Sequence, residues 1–136
     1  MGSPRVLTKK QVLDRIARGL SLTATDMRGT DLSGVCFDGV DLRGAKMAEC
    51  NLGRASFRGS NLQSASLWHS DCKDACFDSA NLEEADLDFT NLDGATFKEA
   101  KVRKAIFPLN RVSLEQVHTS VRTGARIRMD ARGLYE

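Results

Sequence analysis

The sequence predicts an all-β solenoid, a chain wound into short stacked coils, and three observations predict it. From Leu20 to Leu109 the chain divides into eighteen consecutive groups of five residues without an insertion. The third residue of each group is Leu, Met, Phe or Val, with Cys72 the one exception. Phe then returns every twenty residues, at Phe37, Phe57, Phe77 and Phe97. A period of five is neither the 3.6 of a helix nor the 2.0 of a free strand. It means that one side chain turns inward per short extended segment, and that a corner follows each time.

Four fives per superperiod place four faces on each coil, so the coil is square in section. Stacking at the strand spacing of about 4.8 Å, about four and a half coils make a rod roughly 20 Å long before its caps. The Phe column suits that rise, because offset rings stack favourably at it. The first position of each five is small or β-branched apart from Leu20, as a narrow interior requires beside each large residue. Gly29, Gly34, Gly39, Gly44, Gly59 and Gly94 all hold the fifth position, where a type II corner needs positive φ. The nine second-position Asp and Asn residues are expected to hydrogen-bond those corners.

The flanks differ from the repeat. Thr8 reads as the N-cap of a helix through about Arg18, closed by Gly19, with Val12, Leu13, Ile16 and Leu20 near one face. After Pro108, the run Ser113-Leu114-Glu115-Gln116 reads as a capping box. The helix it opens runs to about Arg122 or Thr123 before Gly124, with Leu114, Val117 and Val121 on one stripe. Ala125 to Met129 alternates as a short edge strand would, and Asp130 to Glu136 reads as frayed. A stacked-coil protein needs such atypical caps at both ends. One domain is therefore expected, with a capping helix at 1–19, the repeat at 20–109, and a capping helix and tail at 110–136. The C-terminal cap is also a natural place for a homodimer contact.

With 136 residues and a net charge of +2, the charge is unevenly placed. Both ends are basic and the middle is acidic, whereas a nucleic-acid reader carries its basic groups on one continuous face. Direct nucleic-acid binding is therefore not expected. No apolar run is long enough to span a membrane. The N-terminal residues lack the apolar region of a signal peptide, which predicts a cytoplasmic protein.

The tandem Ala80-Asn81-Leu82 and Ala85-Asp86-Leu87 resemble the consensus of the pentapeptide repeat proteins. The resemblance implies a right-handed quadrilateral β-helix, often with a terminal helix as cap. It covers about two-thirds of the chain. Some members linked to quinolone resistance look like DNA duplexes and bind DNA gyrase through an acidic surface, which gives one alternative function. This chain departs from them in being short and net basic. Repeats of this kind appended to other bacterial proteins give a second alternative, an accessory module of a larger secretion or signalling assembly.

No constellation of catalytic residues stands out, so an enzyme is not expected, nor is a cofactor. Cys50 and Cys72 fall at core positions. Cys36 and Cys76 lie two coils apart, too far for a disulfide, and no metal-ligand spacing occurs. They read as packing residues in a reducing compartment. Asp38, Arg58, Asp78 and Lys98 form an alternating ladder outside the Phe column.

What remains is one patch. Trp68 holds an outward fourth position with His69 beside it, and Phe89 lies one coil above His69; Ile106 and Leu109 continue the face. Asp86 and Asp88 belong to an acidic band beside it. An outward Trp beside a Phe is the best candidate hot spot in the chain, unless the C-terminal segment folds back and covers it. Trp68, His69, Phe89, Asp86 and Asp88 are therefore the expected partner-binding residues, and a non-catalytic interaction or scaffold module is the leading expectation. The partner protein is not named by the sequence.

Overall fold

The computed structural model describes residues 5–129. Within them the chain winds as a solenoid in which residue i pairs with residue i + 20. Parallel one-residue bridges join Asp31 to Asn51, Asn51 to Asp71 and Asp71 to Asn91, and the other three columns do the same. The flat stretch between corners is so short that single bridges replace the strands of an ordinary sheet. The ladder is nonetheless continuous. Leu32 N donates to Asn51 O at 2.8 Å and Leu52 N to Asp71 O at 2.7 Å, while Asn51 N donates back to Thr30 O at 3.2 Å.

Sixteen third-position side chains, from Leu22 to Phe97, are fully buried and fill the interior. The Phe rings stack parallel, with centroids 5.0, 5.0 and 4.9 Å apart along Phe37, Phe57, Phe77 and Phe97. First positions pack beside them. In one column Cys50, Ser70 and Thr90 take the same job: each side chain donates to the carbonyl twenty-three residues back, at 2.7–2.9 Å. Cys50 is thus more than filler, acting as a buried donor in a hydroxyl's place. Burial pushes the Cys50 and Cys72 thiols up, leaving both poor nucleophiles.

Nine corners are closed twice. The first-position N–H reaches back to the third-position carbonyl, as in Ala85 N to Leu82 O at 3.0 Å. Each of the nine second-position Asp or Asn residues also accepts the N–H two residues on, at 2.9–3.2 Å. The fifth position is left-handed from Ala24 to Lys104, φ 56–80°, whether or not it is glycine. At Gly94 a Cβ would lie 1.9 Å from Asp74 Oδ1, so any other residue there must displace the Asp74 side chain.

Two corners carry more. Arg28 grips Asp26 through Nε and Nη2 at 2.9 and 2.7 Å, and Arg43 grips Asp41 in the same way. The guanidinium hydrogen bonds hold both carboxyls at about 2, below their ordinary 3.8. A carboxylate that is more acidic folded than unfolded stabilises fully above the unfolded value, and that stabilisation fades as pH falls from 3.8 toward 2. Arg28→Ala should return the Asp26 midpoint toward 3.8, as read from carboxyl-carbon NMR titration, and leave Asp41 unchanged.

The caps continue the ladder by other means. Leu7 N donates to Asp26 O at 2.7 Å, the offset used throughout the repeat, so the chain enters in register. Helix α1 (Lys9–Ala17) follows, closed by a full capping box between Thr8 and Gln11. It buries Val12, while Leu13 and Leu20 are exposed rather than sharing the buried face. The solenoid end is narrow, so only a thin stripe of the helix touches it.

Helix α2 (Leu114–Thr123) has Ser113 as N-cap and a left-handed Gly124 as C-cap. The expected capping box is only half formed, because Gln116 Oε1 instead accepts Arg128 N at 3.0 Å. Leu114 is exposed, whereas Val117 is buried. The expected strand at Ala125–Met129 is an extended segment with one paired residue: Ile127 takes Gly94 N at 2.8 Å and gives its own N–H to Ala95 O at 2.8 Å. The frayed ending expected for Asp130–Glu136 lies outside the described residues. No helix among the described residues is long and apolar enough to cross a membrane.

Candidate functional site

The corner rule places the candidate patch. Ser66, Asp86 and Ile106 share one outward column, and each coil on this face ends in a left-handed residue, His69 then Phe89. Ladder stacking therefore sets Phe89 above His69 and beside Trp68. The Trp68 and Phe89 rings meet edge to face, 6.1 Å between centroids at 75°. His69 lies 5.1 Å from Trp68 and 6.3 Å from Phe89. The three rings predicted from register are thus brought together.

They are also open. Trp68 is 38 % exposed and Phe89 61 %, with Ile106 and Leu109 at 50 % and 41 % beyond them. The described part of the C-terminal cap does not cover them, because it lies on the face after theirs and on the face opposite. There it serves Leu92, Gly94, Phe97 and Glu99, whose N–H groups find Met129 Sδ, Ile127 O, Ser120 Oγ and Val121 O. Which face a cap descends on depends on the path of the connecting loop, and no local pattern in the sequence carries that.

Asp86 and Asp88 prove to have structural work that register alone did not assign. Asp86 Oδ1 accepts Asp88 N at 2.9 Å, and Asp88 Oδ1 accepts Phe89 N at 3.0 Å. One coil below, His69 N still uses the ladder, donating to Asp88 O at 3.0 Å. At Phe89 the corresponding carbonyl, Pro108 O, is turned to Arg111 and Val112 instead. The Asp88 carboxylate replaces it. The two acids therefore set the corner from which the Phe89 ring projects, while both stay partly exposed.

The corner itself is strained. A left-handed L-residue costs roughly 1–2 kcal/mol, and glycine avoids that cost. Six fifth positions of the repeat are glycine; His69 and Phe89 are the aromatic ones. Neither ring is buried, so only their contacts with Trp68 and with each other offset the strain.

Elsewhere the chemistry is sparse. Cys36 is exposed, Cys76 half-buried, and both are free thiols. Among the described residues no three His, Cys, Asp or Glu side chains converge as a metal site would. In the charge ladder Arg58 reaches Asp78 at 3.8 Å, and the carboxylates are otherwise engaged. Asp38 takes Arg58 N, and Asp78 takes Lys98 N, both at 3.0 Å.

Comparison with known proteins follows the geometry. A comparison with curated protein sequences finds no match. Among solved structures, a pentapeptide repeat protein from Nostoc superposes with a TM-score of 0.75 at 29 % identity, over 84 % of this chain and 95 % of its own. A pentapeptide repeat protein of the Arabidopsis thaliana thylakoid lumen gives 0.59 at 24 % identity, over 73 % of this chain and 85 % of its own. The family model for pentapeptide repeats matches in 8 copies across residues 16–44, 36–71 and 70–107. With its solenoid, its left-handed corners and its Asx-closed turns, the chain belongs to the pentapeptide repeat family.

Proposed function

We propose that this chain is a non-catalytic protein-interaction module, a right-handed quadrilateral rod of about four and a half coils with one docking face. The face is built on Trp68, His69 and Phe89, with Asp86 and Asp88 holding the Phe89 corner. One observation carries the reading: Phe89 is a large apolar side chain, mostly exposed, kept at a left-handed position where glycine is cheaper. Among the described non-glycine left-handed corners, Phe89 alone leaves a large apolar side chain mostly in solvent. Edge-to-face packing against Trp68 pre-orders both rings, which lowers the entropy lost when a partner closes on them.

Affinity capture with the wild-type chain and with Trp68→Ala tests it. Interface aromatics of this kind are worth about 2 kcal/mol or more, so the variant should bind its captured partner at least about 30-fold more weakly. Equal capture by both would remove Trp68 from the surface that matters.

A further inference from the structure

The docking face has a charge as well as a shape. Between Lys73 and Lys98 the chain carries seven carboxylates and no Lys or Arg. Four of them, Glu83, Glu84, Asp86 and Asp88, fall within the two consecutive fives that end at Phe89. From Ser66 to Leu109 no position on the Trp68 face itself is Lys or Arg. The nearest cations by coil position flank this stretch: Lys46 one coil below Ser66, Lys73 on the five after Trp68, and Arg103 and Lys104 at the corner before Ile106. The exposed strip is thus aromatic and aliphatic along its length and anionic at its middle.

Resting on the docking reading above, we infer that the occupant of this strip is a basic amphipathic segment of a partner protein. Its aliphatic or aromatic side chains would lie over Phe89, Ile106 and Leu109, and its Lys or Arg would reach Asp86, Asp88 and Glu84. The outward face of Trp68 adds a seat for a guanidinium. A second copy of this chain fits less well. A two-fold pairing centred on Phe89 would bring the carboxylates of both copies around one axis with no Lys or Arg of this face to pair them, which costs affinity.

The fold supplies a clean charge-removing variant. Asn51, Asn61, Asn81 and Asn91 close their corners as Asp86 does, so Asp86→Asn keeps its acceptor oxygen and loses only charge. Asp88→Asn likewise keeps an oxygen for Phe89 N. Trp68 is the one tryptophan in the sequence, so its emission reports on the strip directly.

The test is a display library of random peptides panned on the full chain and counter-selected on Trp68→Ala/Phe89→Gly. Synthetic versions of the surviving peptides are then titrated against wild type. Clones that depend on the strip should be net positive with interspersed Leu, Trp or Phe, and should shift Trp68 emission saturably. Asp86→Asn/Asp88→Asn should weaken them about tenfold, as two partly exposed charge pairs are worth, and raised salt should do the same. Strip-dependent clones that are neutral or acidic, or that bind the double Asn variant equally well, overturn the charge inference and leave the docking face standing. A library with no strip-dependent clone overturns both. Emission that changes with protein concentration alone, together with a dimer in sedimentation, assigns the strip to a second copy and overturns the basic segment.

Discussion

Phe77→Ala should lower the unfolding free energy by about 3–5 kcal/mol, read from denaturant melts. The ring is fully buried and stacks on both sides, on Phe57 at 5.0 Å and on Phe97 at 4.9 Å, nearly parallel in each case. Truncation removes two ring contacts and opens a void in an interior one side chain wide per face. The walls cannot collapse into it, because Phe77 N and Cys76 N are tied to the coils above and below, at Thr96 O and Ala55 O. A solenoid also couples each coil only to its neighbours, so a weak central coil divides the rod. Phe37→Ala, at the end of the column with one stacked neighbour, should cost less. A loss below about 1 kcal/mol at Phe77 would mean the stack is incidental to stability.

Ser120→Ala carries the second large effect. Ser120 is fully buried in α2, and its Oγ accepts Phe97 N at 3.0 Å. That N–H belongs to the last coil of the Phe column, where no further coil supplies a carbonyl. Removing the hydroxyl strands a buried donor, a loss of about 1–3 kcal/mol. Thermal melts should show it, and hydrogen exchange at the Phe97 amide should quicken before the rest of the ladder. Unchanged exchange at that amide would show that α2 caps by packing alone.

Most of the fold was legible because repetition makes every coil state the same constraint. The third-position core, the Phe stack, the small first positions and the Asx-closed corners all follow from register. Thr8 and Gly19 were legible as local caps. What escaped was whatever depends on the meeting of distant segments. Leu13, Leu20 and Leu114 satisfy a helical stripe on paper, yet the solenoid ends are too narrow to bury them. Gln116 had two amides within reach, its own N-cap and Arg128, and the second is invisible without the tail in place. Left-handed corners were read from glycine, but the winding imposes them on His69 and Phe89 as well. The rings of the candidate site were therefore placed by register, while their exposure and the corner work of Asp86 and Asp88 required the structure.

The central claim is that Phe89 serves a partner rather than the fold, and Phe89→Gly measures it in one variant. Glycine relieves a left-handed penalty of roughly 1–2 kcal/mol and forfeits ring contacts of comparable size, so stability should stay within about 1 kcal/mol of wild type. Partner capture by the same sample should fall at least about 30-fold. A variant destabilised by more than about 2 kcal/mol that still captures its partner as wild type does would contradict the account and make Phe89 a structural residue.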